Sequence, residues 1–268
     1  MLALKLLLVP SCIAIITLAS HRWGPKVGGW LAGFPVIVGP ILLILALDRG
    51  IAFAIDAAIM SLAGIFALIA FGVAYAWSGR YWGWFSSAVL GLIVWFAAAT
   101  FLVATVNGLV RASIIAAIAL IAAPWSFPIP TRHVNLETPP VANAKYVKPA
   151  SGELFVRMLA SLIVTLGVTM SSQALGPMWS GVLAIFPTLG GVLAVFSHAT
   201  HGGDYAATLL RGMAMGLWSI AAFTLTLVIC FKNASNETSS IPLSFACALV
   251  VALAVQLIAR WVFIADRK

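Results

Sequence analysis

The sequence predicts an all-α fold: a polytopic membrane helix bundle of about nine spans, in two inverted four-helix repeats joined by one extra helix. Three observations predict it. The chain has 268 residues, of which 63% are hydrophobic and only 8% charged, and its mean hydropathy is +1.10. A soluble domain is about 25% charged, so this chain has no wettable surface to offer and belongs in a bilayer. A proline-bearing run, Gly24 to Pro35, returns 152 residues later as Gly176 to Pro187, and eight of the 21 positions from 24 to 44 are identical to their partners at 176–196. Finally, the apolar segments pair off under that offset with one left over in the middle.

A helix crosses the hydrocarbon in about 20 residues. By that measure spans run over 2–20, 28–47, 51–77, 83–105, 109–126, 153–173, 179–198, 205–230 and 240–262. The first lacks a basic stretch before it and a small-x-small exit after it, and is read as a permanent span. The second and seventh carry the repeated prolines. Asn107-Gly108 separates the fourth from the fifth. The connector at 127–152 holds Pro128, Pro130, Pro139, Pro140 and Pro149 and reads as a stiff, non-helical linker. Adding 152 to the first four spans reaches the last four. The units are then 1–105, a connecting helix and linker at 106–152, and 153–268. Equivalent spans stand five places apart in the chain, an odd number, so the second unit enters the membrane in the opposite sense.

Charge agrees with that inversion. With the N-terminus outside and the C-terminus in the cytoplasm, 11 of the 15 Lys and Arg residues fall inside and four (Lys5, Arg49, Arg111 and Lys232) outside. The loop at 21–27 carries Arg22 and Lys26, whereas its partner at 173–179 carries no charge. The net charge of +8 therefore reflects orientation in a membrane, not a nucleic-acid partner. Trp23, Trp77, Trp82, Trp84, Trp125, Trp179 and Trp261 stand near span ends, as an interfacial belt requires. The cysteines Cys12, Cys230 and Cys247 are far apart and read as packing residues.

Pro35 and Pro187 each remove a backbone donor inside an apolar span and free a carbonyl one turn back. Gly33, Gly39 and Pro40 weaken the first broken span further, and Gly190 and Gly191 the second. In lipid such breaks survive only where protein, water or ligand satisfies the backbone. Paired interrupted spans in two halves of a membrane protein mark a central site. Phe34, Pro35, Gly39, Phe186, Pro187, Thr188 and Gly190 are therefore candidate binding residues. Asp56 lies roughly 8 Å into the third span at about 1.5 Å per residue. Asp56 and Arg211 are candidates because ionisable groups within a membrane are functional by default. Trp218, mid-span, is a candidate for lining a cavity. Lys5 and Arg157 are repeat partners that read as interfacial anchors. His198, His201 and Asp204 form H-x-x-H-x-x-D beside a Gly-Gly break and read as an ordinary loop; no metal or cofactor is expected. No phosphate loop, nucleophile triad or zincin motif is present, so no catalytic residues and no enzyme activity are expected.

The runs Leu183-Ala184-Ile185-Phe186-Pro187-Thr188, Leu209-Leu210-Arg211, Gly216-Leu217-Trp218-Ser219-Ile220 and Phe245-Ala246-Cys247-Ala248 resemble the small GlpM-type inner-membrane proteins. The resemblance covers residues 153–262, and Phe186, Pro187, Thr188, Arg211, Gly216 and Trp218 are the matching positions. A histidine follows the Phe-Pro-Thr run more closely in that family than His198 does here. The resemblance implies a bacterial inner-membrane protein associated with exopolysaccharide (alginate-like) biosynthesis. A short protein fused to an inverted copy of itself fits an ancestral antiparallel dimer. The expected function is transport of a small solute or ion through a site at the broken spans. The alternative is a non-transporting subunit or scaffold that docks exopolysaccharide assembly proteins through the Pro-rich linker. A lipid-directed intramembrane enzyme is disfavoured by the scattered charges.

Overall fold

Inside hydrocarbon a chain can satisfy its backbone only within itself, and helices are how this sequence does so. The structure, a computed structural model, describes residues 15–20, 22–129, 176–233 and 240–264, with isolated positions at 159 and 163. Among the described residues the helices are α1 (Pro25–Ala32), α2 (Val38–Arg49), α3 (Ile51–Ser78), α4 (Trp84–Thr105), α5 (Leu109–Ser126), α6 (Pro177–Ala184), α7 (Thr188–His201), α8 (Gly203–Asn233) and α9 (Ser240–Ile264). A further helical stretch at 15–20 precedes them, and no strand occurs among the described residues.

Among the described residues six segments are long and apolar enough to cross a membrane: α3, α4, α5, the α6–α7 pair taken as Pro177–His201, α8, and α9 over Ser240–Ala259. The chain is thus an all-helical, multi-pass membrane protein. The expected span at 28–47 is two helices of 8 and 12 residues, neither long enough to cross alone. Most of the spans expected at 2–20 and 153–173 lies outside the described residues. So do Cys12, Lys5, Arg157 and most of the linker at 127–152.

Local chemistry sets the breaks. Pro25 and Pro177 open α1 and α6, where a missing N–H costs nothing. Each helix ends after eight residues because Phe-Pro lies ahead. Gly50 and Gly202 then turn the chain from α2 into α3 and from α7 into α8, both at φ +89° with ψ of 167° and 171°. Only glycine adopts that conformation freely. Gly50→Ala and Gly202→Ala should each lower stability by about 1–3 kcal/mol, read as a drop in thermal midpoint in detergent.

The two long helices α3 and α8 form the centre. In the most apolar stretch of α3, 78% of residues are buried, against 28% in α4 and in α5, which stand at the periphery. α3 and α8 run antiparallel, with Gly79 against Gly203 and Gly72 against Leu210. The short helices cross over: α1, from the first half, packs on α8, and α6, from the second, packs on α3. The contacts match residue for residue. A Cβ added to Gly29 would collide with the Leu209 carbonyl, and one added to Gly181 with the Ala57 carbonyl. Gly33 meets Gly216, and Ile185 meets Gly64. All these pairs are related by the offset of 152 residues. Lipid offers no hydrophobic force between helices, so close approach through small residues holds them.

Candidate functional site

The proline breaks are best followed through their hydrogen bonds. Pro35 cannot donate to Leu31 O, nor Pro187 to Leu183 O. From the sequence these carbonyls are free for a solute; the structure corrects that. Phe34 N–H donates to Leu31 O at 3.2 Å, and Phe186 N–H to Leu183 O at 3.0 Å, each closing a tighter turn. Side chains from the opposite half take the neighbouring carbonyls. Ser219 Oγ donates to Gly33 O at 3.0 Å, Ser61 Oγ to Gly181 O at 2.8 Å and Gln256 Nε2 to Trp30 O at 2.7 Å. Both segments resume alike: Val36 N–H to Phe34 O at 2.7 Å and Thr188 N–H to Phe186 O at 2.6 Å, then Gly39 N–H to Pro35 O and Gly191 N–H to Pro187 O. What the turns leave over is the amide end. Ile37, Val38, Leu189 and Gly190 begin α2 and α7, where N–H groups lack an intrahelical acceptor, and among the described residues none of the four donates to a loop or cap carbonyl.

Both breaks open onto one cavity of about 40 Å³ between the central helices. Five pairs of its wall residues are 152 apart: Ala32 and Ala184, Phe34 and Phe186, Ile37 and Leu189, Val38 and Gly190, Leu68 and Ile220. Ile185, Pro187 and Met213 complete it. No wall side chain carries nitrogen or oxygen, so any polar group turned toward the cavity is main-chain. A water needs about 10–15 Å³ of such space, so the cavity admits a species of only a few atoms.

The cavity brings together Phe34, Phe186, Pro187 and Gly190 of the candidates. Pro35, Gly39 and Thr188 shape the breaks without lining it. Asp56 is exposed on α3 and Arg211 half-buried on α8; neither lines the cavity, and no ion pair joins them. The Arg211 Nε has no hydrogen-bond partner. Trp218 packs half-buried against the core. Ala32, Ile37, Val38, Leu68, Ala184, Ile185, Leu189, Met213 and Ile220 are wall residues that were not among the sequence's candidate binding residues. For Leu68 and Ile220 the only available signal was the offset itself.

The two phenylalanines differ in their surroundings. Phe186 is held by Trp95, edge-on at 4.8 Å between ring centroids. Phe34 instead also lines a second, apolar pocket of about 270 Å³, shared with Ile15, Ile16, Trp30, Leu253, Gln256 and Leu257. At one end of the bundle Tyr75 Oη and His198 Nδ1 are hydrogen-bonded at 3.3 Å, and His201 stacks on Tyr205 at 4.6 Å. Comparison with known proteins found no matching family model, no matching curated protein and no matching solved structure.

Proposed function

We propose that the chain is a bacterial inner-membrane transporter made of two inverted four-helix units, with the cavity between its two Phe-Pro breaks as the point where solute is held. The observation that carries this reading is the cavity wall itself, composed largely of residue pairs 152 apart. A space walled by equivalent residues of two copies lies on the axis relating them, where transporters of this plan bind their cargo. Inversion is supported by the antiparallel course of α3 and α8, by the crossed packing of α1 and α6, and by the inside bias of Lys and Arg. The carbonyls near the breaks are occupied and the amide ends are not, which favours a small solute that accepts hydrogen bonds. The resemblance to GlpM-type proteins belongs to the same reading.

Accessibility tests it without knowing the cargo. In a chain whose three cysteines are replaced by alanine, Leu68→Cys and Ile220→Cys should each react with an impermeant maleimide from either side of the membrane, as the units rock. The double variant Pro35→Ala/Pro187→Ala should lose this two-sided labelling while melting within a few degrees of the parent. Labelling confined to one side, or absent from both, contradicts alternating access. Tags at Gly50 and Gly202 should report from opposite compartments; the same compartment for both would remove the inversion.

A further inference from the structure

We propose that a polar crevice beside the last turn of α7, formed by Thr17, Ser20, Ser197 and Tyr205, is a binding site for a bare sodium ion. The crevice lies away from the Phe-Pro cavity, between the 15–20 helix, α7 and the start of α8. Thr17 is only 1% exposed, and its hydroxyl has no hydrogen-bond partner. In a membrane helix that is costly, and a threonine can usually avoid it by bonding to the carbonyl one turn back. Thr100, Thr105, Thr200, Thr208 and Thr224 all do so in this chain. Thr17 does not, and it lines the crevice together with three other hydroxyl-bearing residues. Ser197 is 3% exposed and Ser20 5% exposed, and Ser20 Oγ lies 3.1 Å from Tyr205 Oη.

Four hydroxyl-bearing side chains thus line one crevice without a carboxylate, and neither lysine nor arginine lines it. Hydroxyl and carbonyl oxygens are what a hard monovalent cation takes in place of water. The α7 C-terminus adds the negative end of its helix dipole, which favours a cation and disfavours an anion. His201 stands at the exposed rim, stacked on Tyr205. Size separates the cations: the crevice does not admit a water-sized sphere. Potassium is about as large as water, whereas sodium is smaller, so sodium fits with the least movement of the walls.

The site does not require that the chain transport anything, so its failure and that of the transport reading are distinguishable. The test is sodium binding to the full chain in detergent, by equilibrium dialysis of radioactive sodium and by thermal melts in choline chloride with sodium or potassium substituted at constant ionic strength. One saturable sodium per chain is expected, with a melting temperature that climbs by a few degrees as the site fills. Potassium should need a concentration at least about tenfold higher for the same rise, since it must widen the site. Thr17→Val keeps the shape and removes the orphaned hydroxyl. It should abolish the sodium-dependent rise yet melt no lower than the parent in choline, because an unpaired polar group is gone. Ser197→Ala should weaken binding in the same direction, and Thr100→Val, on an exposed face, should leave it unchanged. Equal responses to sodium, potassium and choline would overturn the proposal, as would an undiminished sodium response in Thr17→Val. If either variant fails to fold, dialysis on the parent with potassium as competitor decides alone.

Discussion

Gly29→Leu and Gly181→Leu are each expected to lower stability by about 3 kcal/mol or more, and the double variant to lose most of its folded population. At both positions a Cβ alone would run into a carbonyl oxygen of the opposing long helix, Leu209 O or Ala57 O, not into a side chain that can swing aside. Overpacking a core typically costs about 1–3 kcal/mol and occasionally more. Here the obstacle is backbone, so the upper end applies and two such sites approach the roughly 5–15 kcal/mol that holds a domain together. The separated helices would also expose the carbonyls that Ser61, Ser219 and Gln256 now satisfy. Gly83→Ala is the control, since nothing lies within 4 Å of a Cβ there. Monodispersity by size exclusion and the thermal midpoint in detergent are the readouts. Parent-like melting of both leucine variants would mean the helices are not in backbone contact.

Trp95→Ala should lower stability by about 3–5 kcal/mol, the range for deleting a large buried aromatic. Trp95 is fully buried, among the largest such side chains described, and it braces Phe186 at 4.8 Å and Phe96 at 5.0 Å. Its Nε1 has no hydrogen-bond partner. Trp95→Phe keeps an aromatic ring and discards that unpaired N–H, so it should cost clearly less than the alanine variant. The alanine variant frees Phe186 at the cavity wall, and should make a cysteine at Ile220 react faster with maleimide. Thermal melts of the pair separate packing from polarity: equal losses in both variants would mean the ring does not carry the stability.

The breaks were legible because proline and glycine act locally. Pro35 and Pro187 must interrupt a helix whatever surrounds them, and the run around them repeats. The helical class followed from composition for the same reason. The cavity wall was not legible, because Leu68 and Ile220 are apolar residues in apolar helices and nothing in their type marks an inward face. Asp56 shows the reverse difficulty: its charge draws attention, but which way α3 turns it depends on packing. The fate of the freed carbonyls was hidden too, since Ser61, Ser219 and Gln256 reach across from the opposite half of the chain. In the last helix the repeat drifts. Gly91 and Trp95 face inward from α4, and Phe245 and Ala248 from α9, so the spacing lengthens by one or two residues beyond 152. The offset alone therefore misplaces that face.

The crossing of the short helices sets a timetable for biogenesis. The surface of α1 that meets α8 is synthesised near residue 30, and its partner only after residue 203. At about 5–20 residues per second, the ribosome leaves that surface uncovered for roughly 10–40 s. The leading half must wait in the bilayer with an arm outstretched, and α6 in turn docks onto a helix inserted long before it. Expressed alone, neither half can complete its own interior; supplied together as separate polypeptides, they should interlock and restore the melting transition of the intact chain.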